Sequence, residues 1–569
     1  MMGIDQSCRR PNRWSSALLS LLALLAAGAQ AQLPPPPEPA GNPLTTAKAN
    51  LGKVLFWDEQ MSSTGTVACG TCHFPSTGGE DPRSGVSSMA VHPGPDGSFG
   101  NEDDVFGSPG VPLHEADGLY SWSTHFGLLE QVTGRRTGSA INAGYAPELF
   151  WEGRAANEFV DPVTMTIVLG SGAALESQAV GPPVSDVEMA NVSRVWPDVL
   201  ARIEGSVPLA LSPEVQPALL DWINSRTYGE LFEEAFGSAG VTAPRVGMAI
   251  ASFERTQFTD ETPFDDFLAT GSGLTASELA GRVLFAGTAG CDNCHVGTEM
   301  SDHSYRYTGV RPKSDDAGRM DVTGLPEDEG KMRVPMLRNL ELRLPLMHNG
   351  RFETIAGVID FYDRGGDFAN DEIDPLGLDA VQKADLLAFL TRPLTDQRLV
   401  DGTPPFDRPK LYVESDRVPM VEGSGLPGTG GLEPMVVALE PALIGNPSFT
   451  VAVWNGLGAA AATLVINAED PGLVMPGTGD LAFEEIVLEG TGGRAGDGFG
   501  SVVVVIPNDP LLNGRQWFGR WYVDDTGGGE AAAVSKLFRF KTFSVQQQTA
   551  IFSDGFEAGD LSMWDSVVD

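Results

Sequence analysis

The sequence predicts a multidomain protein in which two mainly α-helical domains precede a C-terminal all-β, sandwich-like domain. Three observations lead to this prediction. The chain has 569 residues, which is too long for one ordinary domain. A motif that begins Cys-x-x-Cys occurs twice, and each copy follows a stretch with helical periodicity. Beyond residue 435, short runs of β-branched and aromatic residues alternate with turn residues, which is typical of antiparallel sheets.

The N-terminal segment is typical of an export signal. A basic stretch at 9–13 precedes a short apolar run at 17–27, and Ala-Gln-Ala at 29–31 fits a small-x-small cleavage site. A membrane anchor is the alternative, but the apolar run is too short to span a bilayer and the prolines at 34–37 follow closely. We therefore expect residues 1–31 to be a signal peptide, no membrane span after its removal, and a periplasmic or secreted location.

The composition favours a folded and strongly acidic protein. Hydrophobic residues make up 42% of the chain, which is enough for a proper core, and the formal net charge is −39. Because this charge would repel a phosphate backbone, we expect no nucleic-acid partner. The charge suits a basic protein partner, and simple solubility explains it equally well.

Four of the five cysteines lie in two copies of a Cys-x-x-Cys-His motif, and the fifth lies in the expected signal peptide. This motif attaches c-type haem, because two thiols add to the vinyl groups of the porphyrin and the next imidazole binds the iron. A single copy would also fit a redox dithiol or half of a zinc site. Two complete copies predict two covalently bound c-type haems. The attachment residues are Cys69, Cys72 and His73 in the first copy and Cys291, Cys294 and His295 in the second.

The segments that precede the two motifs are also repeated. Gly52–Phe56 reads Gly-Lys-Val-Leu-Phe and Gly281–Phe285 reads Gly-Arg-Val-Leu-Phe. Both are expected at the end of an amphipathic helix that leads into a haem loop. Thr275 and Glu278 have the spacing of a capping box, which predicts where the second helix starts. The repeat predicts two helical, cytochrome-c-like haem domains.

The chain changes character after about residue 399. A polar linker rich in Pro and Gly leads to five strand-like runs, at 449–454, 462–466, 501–506, 516–523 and 537–543. No catalytic constellation stands out in these runs, so we expect a spacer, docking or surface-binding module. The expected boundaries are 1–31 for the signal peptide, 32–270 and 271–400 for the two haem domains, 401–434 for the linker, 435–545 for the β domain and 546–569 for a C-terminal tail.

Several segments, in this order, carry a resemblance to a known family. They are Leu51–Asp58, Ala140–Ala143, Phe150–Ala155, Gln178–Pro182, Val187–Met189, Phe253–Arg255, Pro263–Asp265, Arg333–Asn339 and His348–Gly350. Together they resemble the bacterial dihaem cytochrome c peroxidases and their MauG-type relatives. The resemblance extends from about residue 51 to about residue 399.

This resemblance implies roles for particular residues. The N-terminal haem would be the peroxide site, with His73 as its proximal ligand, and the C-terminal haem on His295 would store or relay electrons. Glu188 takes the position of the distal acid–base, and Gln178 would orient the bound oxidant. Trp151 would lie between the haems and assist electron transfer. Without the resemblance, Glu188 would be interpreted as an ordinary surface acid and Trp151 as a core aromatic.

The expected sixth ligand of the second haem departs from the simpler peroxidases. Those enzymes have Met at a position that Tyr362 occupies here, as it does in MauG-type proteins. A phenolate is a hard anionic donor and should lower the iron potential, whereas Met raises it. The alternative is that Tyr362 is ordinary helix packing and that Met347 or another Met binds the iron.

The distal ligand of the first haem is open in the sequence. His92, His114 and His125 lie between the first motif and Phe150, in a segment longer than the family pattern. Any of the three, or none, is a candidate. MauG-type proteins leave this side free, and Tyr362 favours that arrangement. We expect His348 to have a structural or haem-propionate-binding role in the second domain.

The resemblance also implies a calcium ion between the two haem domains. Thr137 stands where the family has Asn and Arg343 where it has Thr, while Pro345 is kept. Arg343 puts a cation close to this site and argues against calcium there. A separate acidic, Gly-rich loop at 93–104 has oxygen ligands at short spacing, but a solvated loop is the favoured interpretation.

Three functions compete. The first is reduction of hydrogen peroxide with electrons from a small cytochrome c or copper protein. The second is a MauG-type oxidation, in which peroxide is used to modify an aromatic side chain of a protein substrate. The third is a dihaem electron carrier without enzymatic activity. We expect a peroxidase-family oxidoreductase, with the choice between the first two left open.

Overall fold

The computed structural model of the protein describes residues 33–544. The expected signal peptide at 1–31 and the expected tail at 546–569 lie outside the described residues. Helices dominate as far as residue 401, and strands dominate after it. Within the described range, no helix is both long enough and apolar enough to cross a membrane.

The helical part consists of short helices that are joined by long loops. The helices are α1 Thr46–Trp57, α2 Cys69–Cys72, α3 Ala174–Ala179, α4 Trp196–Gly205, α5 Pro217–Ile223, α6 Tyr228–Phe236, α7 Ala243–Glu254, α8 Pro263–Thr270, α9 Ala276–Ala286, α10 Met320–Thr323, α11 Ile355–Asp363, α12 Ala380–Leu390 and α13 Gln397–Asp401. Short antiparallel strand pairs lie in the loops: β1 Val91–His92 with β2 Val105–Phe106, β3 Pro109–Pro112 with β4 Glu130–Val132, β5 Phe159–Val160 with β6 Ile167–Leu169, and β7 Tyr305–Arg306 with β8 Met332–Arg333.

The sequence repeat corresponds to a repeated helix crossing. Helix α1 crosses α7 at Gly52, where an added Cβ would lie 1.9 Å from the Ala249 carbonyl oxygen. Helix α9 crosses α12 at Gly281, where an added Cβ would lie 1.9 Å from the Asp385 carbonyl oxygen. Only glycine allows two helix backbones to approach this closely. Each glycine therefore fixes the helix that leads into a Cys-x-x-Cys-His motif.

Aromatic side chains repeat at the same two crossings. Phe56 at the end of α1 packs edge-on against Phe253, with ring centroids 5.2 Å apart. Phe285 at the end of α9 packs in the same way against Phe389, at 5.4 Å. The predicted capping box is confirmed, because the Glu278 carboxylate accepts from the Thr275 amide at 2.7 Å and the Thr275 hydroxyl accepts from the Glu278 amide at 3.3 Å.

Each crossing is the centre of a separate hydrophobic core. The first core joins α1 to α4, α5, α6 and α7; its fully buried members include Leu51, Val54, Leu55, Val199, Leu231, Phe232 and Val246. The second core joins α8, α9, α11 and α12; its members include Phe264, Phe285, Ile355, Ile359, Leu386 and Phe389. Because Phe264 packs in the second core, α8 contributes to that core although it precedes the expected boundary at residue 270.

The C-terminal part contains two antiparallel sheets. Its strands are β9 Met420–Glu422, β10 Met435–Val437, β11 Phe449–Leu457, β12 Ala461–Asn467, β13 Ala482–Val487, β14 Ala495–Val504, β15 Gln516–Val523, β16 Ala533–Val534 and β17 Leu537–Lys541. One sheet has the order β10-β11-β14, and the other has the order β13-β12-β15-β17-β9, with β16 paired to β15. All of their pairings are antiparallel.

One buried cluster receives side chains from both of these sheets. Phe449 and Val451 of the three-stranded sheet pack in the same cluster as Leu464 and Trp521 of the larger one. Val465 points to the opposite face from Leu464, as the two-residue period of a strand requires. The short edge strand β9 lies within the expected linker; its three exposed residues carry no alternating pattern that the sequence would reveal.

The helix crossings yield a test of the fold. Gly281→Ala should destabilise the protein by about 1–3 kcal/mol, because the added methyl group would overlap backbone that has no room to move. Gly205→Ala is the matched control, since an added Cβ at this position of α4 meets no atom within 4 Å. Its free energy of unfolding should stay within about 0.5 kcal/mol of the wild-type value. Denaturant unfolding followed by circular dichroism measures both, and equal stability of the two variants would contradict the close crossing.

Candidate functional site

The predicted site residues line two adjoining cavities. The first, of about 650 Å³, is lined by Cys69, Cys72 and His73, and also by Gln178 and Glu188. The second, of about 560 Å³, is lined by its own set of predicted residues: Cys291, Cys294, His295 and Tyr362. Both volumes fall in the range of pockets that hold a large organic group.

The first motif is held rigidly by its neighbours. Cys69–Cys72 form the single turn α2, in which the Thr71 hydroxyl accepts from the Ala68 amide at 2.9 Å. Gly70 lies flat on an indole, because an added Cβ would be 2.3 Å from Cε3 of Trp57. His73 follows this turn, and its Nδ1 donates to the Gly79 carbonyl at 3.1 Å. That hydrogen bond fixes the ring and leaves Nε2 as the free ligand atom.

The second motif has an equivalent arrangement. Gly290 enters it with a left-handed backbone (φ 59°), and a 3₁₀ turn covers Cys291–Asn293. Nδ1 of His295 donates to the Met300 carbonyl at 3.0 Å. Burial lowers the pKa of both His73 and His295, so both rings are held in the neutral form that binds iron.

Trp151 lies in the wall that the two cavities share. It lines both of them, and its Nε1 donates to the Arg136 carbonyl at 2.8 Å. Its ring packs edge-on against His348, with centroids 6.1 Å apart. An aromatic ring held in a common wall is the geometry that the predicted role between two redox groups requires.

Several basic side chains accompany Trp151 in this wall, and of these only Arg343 was singled out from the sequence. Arg136, Arg311, Arg333 and Arg343 line both cavities. Three buried donors of the region, Nε of Arg136, Nε of Arg311 and Nε2 of His348, have no hydrogen-bond partner among the described residues. Buried donors need acceptors, so a bound group that carries carboxylates would complete them. The cavities therefore fit haem, whose two propionates supply such acceptors; the sequence signal was the arginine pair at 135–136.

Glu188 stands at the edge of the first cavity in an irregular segment. The Ser185 carbonyl accepts from the amides of Glu188, Met189 and Ala190 at 3.1, 2.9 and 2.9 Å, which folds this segment into a tight turn. Burial raises the pKa of the Glu188 carboxyl, while the Ser185 hydroxyl and the charge of Arg154 partly lower it again. A raised pKa makes the ionised carboxylate a stronger base, which suits a group that exchanges protons.

Both candidates for the sixth ligand of the second haem lie in the wall of the second cavity. Tyr362 on α11 and Met347 in the preceding loop line it, together with His348. The two alternatives of the sequence analysis therefore both remain compatible with the geometry.

The three histidines before Phe150 are placed differently. His92 lines the first cavity. His114 is buried, with Nδ1 donating to the Pro112 carbonyl at 2.7 Å, and His125 packs against Phe126. Neither of these two lines the first cavity in the described structure. Of the three histidines, the structure therefore favours His92 as the candidate distal ligand.

The residues at the expected calcium position do not fit a cation. The Arg343 guanidinium donates to Oε1 of Glu80 at 2.6 Å and to the Met336 carbonyl at 2.7 Å, and Arg136 pairs with the same carboxylate. All three charged side chains are buried. Burial, and then the charge of Arg343, lower the pKa of Arg136 to about 9, so positive charge is already unfavourable here. The Thr137 hydroxyl is occupied with that of Ser108, at 2.5 Å.

The acidic loop at 93–104 bonds three of its carboxylates with its own amides, while Oδ1 of Asp104 is buried without a hydrogen-bond partner among the described residues. Asp96 accepts from the Ser98 amide at 2.7 Å, Asp103 from the Asp96 amide at 3.1 Å, and Asp104 from the Gly100 amide at 2.7 Å. Such hydrogen bonds stabilise an exposed turn without a metal ion.

Comparison with known proteins shows what this arrangement is similar to. The family model described as di-haem cytochrome c peroxidase matches residues 46–272. The cytochrome-c peroxidase IdrP1 of Pseudomonas sp. (strain SCT) is 29% identical over 427 residues, which cover 67% of this chain and 92% of the relative. The methylamine utilization protein MauG of Methylorubrum extorquens is 30% identical over 360 residues, covering 62% and 80%. The cytochrome c551 peroxidase of Nitrosomonas europaea is 30% identical over 368 residues, covering 63% and 86%.

The buried arginines yield a test of the interdomain site. Prolonged dialysis against a calcium chelator should leave the absorption and EPR spectra of the purified protein unchanged, because the cluster sets the guanidinium groups of Arg343 and Arg136 against the single carboxylate of Glu80, and the remaining positive charge disfavours a cation. Added Ca²⁺ should also change nothing. A spectral change on chelation that Ca²⁺ reverses would contradict this assignment.

Proposed function

The chain belongs to the di-haem cytochrome c peroxidase and MauG family and is a peroxidase-type oxidoreductase, and we propose that it is exported and reduces hydrogen peroxide with electrons from a small redox protein. One observation carries this proposal. Two cavities, each with a Cys-x-x-Cys-His motif in its wall, meet at Trp151, and only the first also has Glu188 and Gln178. The two sites are therefore unequal, as a reacting site and a relay site should be.

The proposed ligands follow from the two motifs. His73 would bind the iron of the first haem and His295 that of the second, with the four motif cysteines as thioether attachments. Bound haem supplies the redox chemistry: it accepts electrons from a donor and passes them to peroxide. The overall reaction takes two electrons and two protons and converts one peroxide into two waters.

The remaining chemistry falls to side chains of the first cavity. Peroxide enters as a neutral acid, and the Glu188 carboxylate takes the proton from its inner oxygen. Glu188 then returns this proton to the outer oxygen, so that the leaving group departs as water and no hydroxide has to form in a buried site. The Gln178 amide offers both a donor and an acceptor to hold the peroxide during this transfer.

Trp151 and the arginines of the shared wall would link the two sites, Trp151 by electron transfer and the arginines by binding the haem groups. The Trp151 ring, fixed by its bond to the Arg136 carbonyl, would carry electrons from the second haem to the first. Arg136, Arg311, Arg333 and His348 would bind the haem propionates. Their charges would hold both haems against the shared wall and make the sites easier to reduce.

A MauG-type oxidation of a protein substrate is the second candidate. The observation that favours it is Tyr362 in the wall of the second cavity. As a phenolate ligand, Tyr362 would lower the potential of the second iron and make that site a poorer store of a ready electron. Peroxide-dependent modification of a partner in the absence of an external donor would identify this activity, whereas sustained peroxide consumption with a reduced cytochrome would identify the first.

The C-terminal sheets complete the proposed organisation. We assign 32–270 and 271–400 to the two haem domains, although α8 at the end of the first range packs in the second core. We assign 435–545 to a sandwich-like module, since one buried cluster receives side chains from both sheets. The proposed periplasmic or secreted location rests on the signal peptide that the sequence predicts.

The proposed role of Glu188 yields the test of this function. Glu188→Gln should lower peroxide turnover with a reduced small cytochrome by about 10²–10⁴-fold, because proton transfer is lost while the cavity keeps its shape. Haem content and the spectrum of the second haem should not change.

The pH profile provides an internal control for this test. Turnover of the wild type should rise with pH as Glu188 loses its proton, and the midpoint should lie above the ordinary carboxyl value, because burial raises this pKa. Ser185→Ala should move the midpoint higher still, since it removes a hydrogen bond that favours the carboxylate. Unchanged turnover in Glu188→Gln would reject the acid–base role. The same conclusion would follow if the acid limb of the pH profile were identical in Ser185→Ala and the wild type.

A further inference from the structure

A hairpin in the first helical region extends from the first cavity to the C-terminal sheets. Its strands β3 and β4 pair in the register Pro109 with Val132 and Pro112 with Glu130. The intervening tip, 113–129, is a long loop that is closed by bridges between His114 and Tyr120 and between Ser123 and Gly127. The base of the hairpin is close to the first haem motif, because Arg83 donates both to the Pro109 carbonyl, at 2.7 Å, and to Sγ of Cys72, at 3.5 Å.

The base of the hairpin packs directly on the segment that carries Glu188. Gly110 has no room for a side chain, since an added Cβ would lie 1.9 Å from the Val187 carbonyl oxygen and 2.8 Å from Cα of Glu188. The Gln131 side-chain amide donates from Nε2 to the Asp186 carbonyl at 2.7 Å. The Val111 amide donates to the Val187 carbonyl at 3.4 Å. Both strands of the hairpin therefore contact backbone immediately before or at Glu188.

The start of the tip extends this contact past Glu188. The His114 carbonyl accepts from the Val192 amide at 2.9 Å. Residues 185–192 form neither a helix nor a strand, so they have no regular ladder of their own to fix the carboxylate. The bonds to the Ser185 carbonyl fix their local turn, and the Ser63 amide bonds the Met189 carbonyl at 2.9 Å. The hairpin supplies further bonds from outside the segment, on both sides of Glu188.

The far end of the hairpin is anchored on the C-terminal sheets. The Tyr120 hydroxyl donates to Oε1 of Glu440 at 3.1 Å, and the Tyr120 amide donates to the Ser501 hydroxyl at 2.9 Å. The Thr450 hydroxyl donates to the Gly118 carbonyl at 2.9 Å. Glu440 is buried, and its second oxygen accepts from the Thr450 amide at 3.1 Å, so this contact is fixed from the sheet side as well.

Aromatic packing adds area to the same contact. The Trp122 ring lies 4.8 Å from that of Phe499 and 6.0 Å from that of Trp454, centroid to centroid. Tyr120 and Leu128 of the tip share a buried cluster with residues of strands β10 and β11, namely Val437 and Ala452. Tyr120 and Leu128 are buried in this contact, while Trp122 keeps 41% of its surface exposed. The buried part distinguishes the contact from a loose touch between tethered domains.

We propose that the C-terminal sheets act as a fixed support for the 109–132 hairpin, and that the hairpin positions Glu188 at the first cavity. Tyr120, Trp122 and Gly110 are positioning residues for the peroxide reaction in this account. The inference rests on the proposed acid–base function of Glu188. It gives the β region a role in the reaction itself, beyond the spacer or surface-binding module that the sequence suggests.

The proposed support is tested by weakening the contact between the hairpin tip and the C-terminal sheets and measuring the effect on the Glu188 segment. Trp122→Ala removes the packing on Phe499 and Trp454 without touching the cavity. The second-order rate constant for the reaction with peroxide should fall about tenfold, because small displacements of a reacting group are costly. Hydrogen–deuterium exchange of the amides at 185–192 should quicken by about tenfold or more. The KM for the electron donor and the spectrum of the second haem should not move.

Two further variants keep this test independent of folding defects. Trp222→Ala is the matched control: Trp222 packs beside the first helical core, bonds Glu234, and should leave exchange at 185–192 unchanged. Tyr120→Phe keeps the ring and removes only the bond to Glu440; it should change the rate and the exchange in the same direction as Trp122→Ala, by about two- to fivefold.

The outcomes separate this proposal from the function on which it rests. Unchanged exchange at 185–192 in Trp122→Ala and Tyr120→Phe would overturn the support, and so would faster exchange with an unchanged peroxide rate. If Glu188→Gln is fully active, the acid–base function fails, and with it the role of the support in the reaction. If Glu188→Gln is inactive but the anchor variants match the wild type in rate and exchange, only the support is wrong.

Discussion

The structure depends on two helix crossings that only glycine permits. Gly52 and Gly281 bring α1 onto α7 and α9 onto α12 at backbone contact. Each crossing fixes the aromatic residue at the helix end and hence the entry into a Cys-x-x-Cys-His motif. A short motif can hold a large flat group in one orientation only if the chain around it cannot shift, and the close crossing supplies this rigidity. The rest of the chain determines how two otherwise equivalent sites become unequal.

The two sites differ in the side chains that line only one of the two cavities. Trp151 and the buried arginines are common to both sites, whereas Glu188 and Gln178 belong to the first and Tyr362 to the second. The Glu80–Arg343–Arg136 cluster sets two buried guanidinium groups against one buried carboxylate at this junction, and the remaining positive charge suits a bound carboxylate group. Removing Glu80 would leave both guanidinium groups without a counter-charge in a buried region, so this carboxylate also ties Arg136 of the first helical part to Arg343 of the second.

The sequence was most informative where chemistry fixes residue spacing. The two motifs and the repeated segments before them predicted two helical parts. Trp151, Gln178 and Glu188 line the first cavity, and the roles that the resemblance implies for them stay predictions. The sequence was least informative where contacts between distant parts of the chain decide the structure. Nothing local in 109–132 indicates that this hairpin joins the Glu188 segment to a sheet more than 300 residues away in sequence. The pairing of Glu80 with two arginines likewise joins residues distant in sequence, and β9 is too short and exposed to carry a strand pattern.

The central claim is that the protein holds two haems with different ligands that act as one redox unit. Low-temperature EPR of the ferric protein, before and after stoichiometric peroxide, tests it most directly, with Tyr362→Phe as a matched variant. The account predicts one high-spin and one low-spin signal, loss of both on adding peroxide, and a change only in the low-spin signal in Tyr362→Phe. Two low-spin signals that do not respond to peroxide, even after half-reduction, would contradict it and indicate an electron carrier.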